Sequence, residues 1–159
     1  MSTPEERLAE MGLSVPEVVA PVAAYVPAVR TGNYVYTSGQ LPMRDGELVA
    51  TGKVGGEVTT EVAQQCARQC ALNAIAAVRS QIGDLSRVVR VVKALAFVSS
   101  TTEFTGQPGV ANGASELLGE VFGDAGQHAR SAVGVPVLPL DAPVEVELVV
   151  EVAGESPAV

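Results

Sequence analysis

The chain has 159 residues, with 10 Lys and Arg against 18 Asp and Glu, and a formal charge of −8 at pH 7. That length suits one domain with a substantial core, and no apolar run approaches the ~20 residues that span a bilayer. The acidic balance repels phosphate backbones and disfavours general nucleic-acid binding; any anionic ligand must be captured by a local positive group.

The opening stretch, MSTPEERLAEMGL, carries acids and no hydrophobic leader segment, so a cytoplasmic protein is expected. Residues 1–20 read as an N-terminal extension and residues 21–159 as a single domain. Within the extension, Thr3 as N-cap, Pro4 in the first turn and Gly12 at the end predict a short helix. Pro16 and Pro21 keep the following segment extended.

Two short strands are expected around the turn TGN, with Tyr34, Tyr36 and Ser38 on one face and Val35 and Thr37 on the other. Asp45-Gly46 marks a second hairpin, with a returning strand in ELVAT. Thr59 or Thr60 caps a long helix to about Ile82, whose stripe is Ala67, Ala71, Ile75, Val78 and Ile82, and Gly83 closes it. A β-branched run covers Val88 to Val98, and a second long helix is expected from about Val110 to Phe122. ARSAVGVPVL and APVEVELVVEV complete the strands. In the last, Glu145, Glu147 and Glu151 alternate with Val144, Val146, Leu148, Val150 and Val152.

The expected order, β-β-β-α-β-α-β-β, is an α+β layout: a mixed six-stranded sheet with two helices on one face. The other face carries apolar and aromatic residues with no helix to cover it, and such a face usually meets another subunit. Cys66 and Cys70, four apart on a helix, are poorly placed for a disulfide and read as small apolar fillers. No metal site is expected, since the sole histidine, His128, lies far along the chain and no second thiol pair exists. GKVGGEVTT lacks phosphate-loop spacing.

Arg130 stands at the mouth of an apolar segment, and a desolvated guanidinium needs a partner from the protein or from a ligand. NYVYTSGQLP, QPGVANGASELLGEVFG and HARSAVGVPVLPLDAPVEVELVVEVA, in that order, resemble the Rid (YjgF-like) family, also labelled L-PSP endoribonuclease-like. The longer N-terminus and the NGASELL helix look like a less-studied branch. The resemblance covers about residues 21–153. It implies a chorismate-mutase-like fold and a homotrimer with sites in the clefts between subunits. It also implies hydrolytic deamination of reactive 2-imino and enamine acids to 2-keto acids and ammonia, without metal or organic cofactor.

Residue by residue, Arg130 matches the arginine that binds the substrate carboxylate, for which a planar guanidinium fork is suited. Glu145 matches the glutamate that anchors water or moves protons. Tyr25, Ser38 and Asn112 match pocket-lining positions. Val26 replaces a serine of the pattern, and Ala132 stands where the best-known deaminases often have cysteine. The expected partners are a small carboxylate-bearing metabolite and the chain itself, with neither nucleic acid nor membrane.

Other readings of these residues stand beside this one. Arg130 can pair with Glu145 inside one subunit, and Glu145 can be a solvated strand acid. Tyr25 and Ser38 can be ordinary strand residues. Asn112, near a helix start, suits an N-cap. His128, alone in a loop, suits a solvent-facing position. Two other functions compete: a trimeric carboxylate-binding protein without deaminase activity, and an endoribonuclease, which the acidic charge opposes.

Overall fold

The computed structural model describes residues 1–21 and 23–155. The first helix, α1 (Pro4–Glu10), starts where its signals fall: the Thr3 hydroxyl accepts from the Glu6 N–H, and the Glu6 carboxylate accepts from the Thr3 N–H. It docks through Leu8, which is fully buried, while Glu5 accepts a hydrogen bond from the Leu85 backbone. The N-terminal extension is thus fastened to the domain through this helix.

Strands β1 (Ala28–Thr31) and β2 (Tyr34–Thr37) form the hairpin around TGN, and Gly32 takes the left-handed conformation the turn requires. The Asp45-Gly46 turn joins β3 (Met43–Arg44) to β4 (Glu47–Leu48). Helix α2 (Thr60–Ile82) is capped by Thr59, whose hydroxyl accepts from the Val62 N–H, and is closed by Gly83. Strand β5 (Val88–Ser99), helix α3 (Gln107–Phe122), β6 (Ala129–Val135) and β7 (Val144–Val152) follow.

The main sheet has the order β1-β2-β7-β5-β6; β5 and β6 are parallel and the other neighbours antiparallel. It therefore has five strands, not six. The β3-β4 pair stands apart as a two-stranded hairpin. Its strands are two residues each: Val49 already bonds back to the Pro42 carbonyl, and proline has no N–H to extend the ladder. The α+β layout stands, with a mixed sheet and three α-helices among the described residues.

Helix α2 lies over β1, β2 and β7, while α3 lies over β5 and β6. The expected α2 stripe is buried throughout, as are Val144, Val146, Leu148, Val150 and Val152 of β7. The two helices meet at Gly113, where a Cβ would come within 2.0 Å of the Gln64 carbonyl oxygen. Only a glycine lets the backbones approach so closely. Cys66 and Cys70 fill the core: burial pushes the Cys66 thiol up to about 11, and burial also raises Cys70, reinforced by Cys66 and Glu145. No helix is long and apolar enough to cross a membrane among the described residues.

Among the described residues, no helix lies over the opposite face of the sheet. Val29, Tyr36 and Val149 form one cross-strand row; Glu145, Phe97 and Val133 form another. Tyr36, Lys93, Leu95, Glu147 and Val149 surround a hollow of about 310 Å³ on this side.

Candidate functional site

Strand alternation decides where the predicted residues go. Arg130 pairs in register with Ala94, and Ala94 with Leu148, so all three point toward the helices. Glu145 pairs with Phe97 and points to the open face. Arg130 and Glu145 therefore lie on opposite faces of the sheet, on strands separated by β5. The intrasubunit ion pair that the sequence allowed does not form.

Arg130 is held by α3. Its Nη1 donates to Asn112 Oδ1 at 2.8 Å and to Ser115 Oγ at 3.1 Å, and its Nη2 donates to the Pro108 carbonyl at 3.3 Å. All three acceptors are neutral, and no carboxylate pairs with the guanidinium among the described residues. Of the five N–H donors, the Nε–H and one Nη2–H remain uncommitted. They belong to Nε and Nη2, the two nitrogens that bound the side-on edge by which an arginine grips a carboxylate.

Asn112 is not an N-cap. Helix α3 starts at Gln107, so Asn112 lies inside it, one turn before Ser115 on the side facing β6. Pro108 at the first turn marks the earlier start. His128 is not a free surface residue either: Nδ1 lies 2.6 Å from the Gly126 carbonyl and Nε2 lies 2.9 Å from Ser115 Oγ. Ser115 and His128 were not among the predicted residues. The i, i+3 spacing of Asn112 and Ser115, on a helix otherwise apolar toward the core, is the signal that points to Ser115. An open hollow of about 360 Å³ is lined by Ser115, Gly119, Gly126, Gln127, His128 and Arg130.

The remaining predicted residues gather around the end of β2. Ser38 and Tyr25 both lie outside the strands. The Ser38 hydroxyl donates to the Val26 carbonyl at 2.6 Å, and the Ser38 N–H donates to Pro27 at 2.8 Å. These bonds tie the segment bearing exposed Tyr25 to the end of β2. Gln40 then bridges to Val146, which brings Gly39 beside Glu145. A Cβ at Gly39 would fall 1.8 Å from Glu145 Oε1, so the missing side chain is the space the carboxylate occupies. Burial, and secondarily the Glu147 charge, raises the Glu145 carboxyl above its ordinary value.

The structure thus separates the five predicted residues into two groups. Asn112 and Arg130 meet between α3 and β6. Tyr25, Ser38 and Glu145 belong to the β2 end and the open face. No group of three or more His, Cys, Asp or Glu side chains is placed to hold a metal among the described residues.

A five-stranded sheet backed on one side by α2 and α3, with an arginine held by the second helix, defines an α+β domain of the chorismate-mutase-like class. The family model described as "YjgF/chorismate mutase-like, putative endoribonuclease" matches residues 5–152. The chain is 45% identical over 145 residues to Protein TCP17 of Trypanosoma cruzi, covering 91% of each. It is 33% identical over 140 residues to a 2-iminobutanoate/2-iminopropanoate deaminase of Dermatophagoides farinae, covering 87% of this chain and 93% of that one. Among solved structures, the protein Atu1372 of Agrobacterium tumefaciens, described as of unknown function, matches with a TM-score of 0.89 and 45% identity, over 94% of this chain and 92% of that one. The chain belongs to the YjgF/Rid family.

Proposed function

We propose that the protein grips small 2-imino and enamine acids by their carboxylate and hydrolyses them to 2-keto acids and ammonia. One observation carries this reading: the Arg130 cation is fixed by three neutral oxygens and keeps two donors on adjacent nitrogens, with no carboxylate paired to it among the described residues. A substrate carboxylate supplies the missing anion and is held in one orientation, which places the imine carbon for attack. The Dermatophagoides farinae relative named as a 2-iminobutanoate/2-iminopropanoate deaminase supports the substrate class.

On this reading the chain works as a homotrimer with its sites between subunits. Arg130 and Asn112 of one protomer would face Tyr25, Ser38 and Glu145 of the partner subunit. The uncovered sheet face, with Tyr36, Phe97 and Val133, supports such packing. Water adds its oxygen to the imine carbon as the C=N π pair moves to nitrogen, which takes up a proton. The hydroxyl then loses its proton, the C–N bond breaks, and ammonia leaves with the bond pair. Glu145, whose proton affinity is raised, takes a proton from the adding water and passes it to nitrogen, then takes the hydroxyl proton and passes it to the amine, so that both protons of water leave on ammonia.

The test generates 2-iminopropanoate in situ and traps it with semicarbazide. Suppression of the semicarbazone by the protein, lost in Arg130→Ala, is expected; an unchanged semicarbazone yield sinks the hydrolase. A second reading, carboxylate binding without deamination, is favoured by Ala132. It follows Arg130 on the helix-facing side of β6, packs against the core and offers only a methyl group. Pyruvate binding without semicarbazone suppression would support it.

A further inference from the structure

Arg130 is in turn held by a pair of residues that the proposed chemistry does not use. We propose that Ser115 and His128 are positioning residues for Arg130, and that together they decide which edge of the guanidinium meets a carboxylate. This rests on the reading of Arg130 as a carboxylate clamp.

The direction of each hydrogen bond follows from its chemistry. The Gly126 carbonyl can only accept, so His128 Nδ1 carries a proton. In the neutral ring Nε2 is then an acceptor, and the Ser115 hydroxyl donates to it. With its proton turned to His128, Ser115 Oγ presents lone pairs to Arg130 Nη1 at 3.1 Å. The chain runs Arg130 to Ser115 to His128 to Gly126, every donor meeting an acceptor.

Each anchor of this chain is fixed by the fold. Gly126 is buried, and a Cβ there would lie 2.2 Å from the Leu118 carbonyl oxygen, so the turn that aims its carbonyl rests directly on α3. His128 lies one residue before β6 and Ser115 lies on α3, so the relay spans the gap between strand and helix. Asn112 and Ser115 together take both Nη1 hydrogens. Without Ser115, Nη1 keeps one α3 partner, so the guanidinium can swing about its aliphatic torsions and offer a different edge, while turning about Nε–Cζ exchanges Nη1 and Nη2 more freely. Without the imidazole, the Ser115 hydroxyl is free to rotate its own proton toward the guanidinium and repel it.

The relay acts as one unit, so the two residues should not add. Pyruvate binding, followed by calorimetry, is expected to weaken roughly 5- to 30-fold in Ser115→Ala and in His128→Ala, and little further in the double variant. Ser115→Thr keeps the hydroxyl, and His128→Gln places an amide oxygen near the Nε2 position; each should retain most of the affinity that the alanine variants lose. Melting temperatures should stay within a few degrees of wild type. A ligand-free measurement runs alongside: arginine side-chain NMR should show separate Nη1 and Nη2 signals for Arg130 in wild type that merge in Ser115→Ala. Unchanged affinity and unchanged Arg130 signals in both alanine variants would overturn the relay while leaving the clamp intact, provided Arg130→Ala still abolishes binding. Losses that the Thr and Gln variants fail to restore would also overturn it. Wild type that binds no pyruvate, or Arg130→Ala that binds it normally, defeats the clamp and the relay together.

Discussion

The two faces of the sheet handle charge in opposite ways. On the helix side, Arg130 is surrounded by neutral oxygens, and no carboxylate pairs with its positive charge among the described residues. On the open side, Glu145 is pressed over a bare glycine, beside Phe97, with another carboxylate nearby, and holds its proton more tightly for it. One side offers charge without a partner; the other withholds it. Each side holds what the other lacks, but β5 and the thickness of the sheet keep the two apart within one protomer. The proposed trimer would bring the two together across its subunit interfaces.

The strongest way to break this comparison is Arg130→Ala. If the cation is reserved for a ligand, 2-keto acid binding should fall by about 2–5 kcal/mol, roughly 30- to several-thousand-fold by calorimetry. Its melting temperature should hardly move, since no buried carboxylate is stranded. Arg130→Lys should also bind poorly, because an ammonium lacks the two-pronged geometry. A steep loss of stability in Arg130→Ala would make the residue structural.

Two glycines sharpen the contrast next. Gly39→Ala drives a Cβ into the tip of the Glu145 side chain, which can swing away. Turnover of the imine should drop about 100-fold while stability changes little. Gly113→Ala drives a Cβ into the Gln64 backbone, which cannot swing away. That variant should lose about 2 kcal/mol, or roughly 4–8 °C in Tm. Thermal melts and imine assays on both variants should give opposite patterns; the same pattern in both would erase the distinction between the faces.

The smallest expected effect is on pH dependence. Folding raises the Glu145 carboxyl above its value in the unfolded chain. The carboxyl is protonated in both states at low pH, so it contributes nothing there. As pH rises past the ordinary glutamate value of about 4.3, the unfolded chain releases this proton first, and folding is disfavoured. The deficit is complete above the raised folded value. Glu145→Gln removes it, so the variant should melt above wild type at pH 8 and match it near pH 4. A variant that melts lower at pH 8 would mean that the carboxylate gains a favourable partner on folding.

Much of the scaffold was legible because its signals are local or periodic. The α2 stripe, the alternation of β7 and the capping of α1 each follow from spacing alone, and all three match the structure. The start of α3 was read three residues late because Gly106 supplies no capping side chain, leaving Pro108 as the only marker. That error placed Asn112 at a helix start instead of facing β6. The sixth strand was overcounted because ELVAT has the composition of a strand, yet only Glu47 and Leu48 find a partner. For the candidate site, the sequence pointed to Arg130 as a cation in need of a partner. Ser115 shows in the sequence only as a polar residue one turn after Asn112, and the bonds that link it to His128 and the Gly126 carbonyl do not show at all, since they depend on a turn packed against a helix eight residues earlier in the chain.

The strand order also sets how firmly each half of the proposed site is anchored. Strand β7, which carries Glu145, is the middle strand and is hydrogen-bonded by β2 on one side and β5 on the other. Strand β6, which carries Arg130, lies at the edge and is bonded within the sheet only by β5. Opening β6 breaks one ladder; opening β7 breaks two. Backbone amides of Val146–Val150 should therefore exchange with deuterated solvent far more slowly than those of Ala129–Val135. On the proposed chemistry, the proton-handling half of the site would be set in the most firmly bonded part of the sheet and the gripping half at its margin.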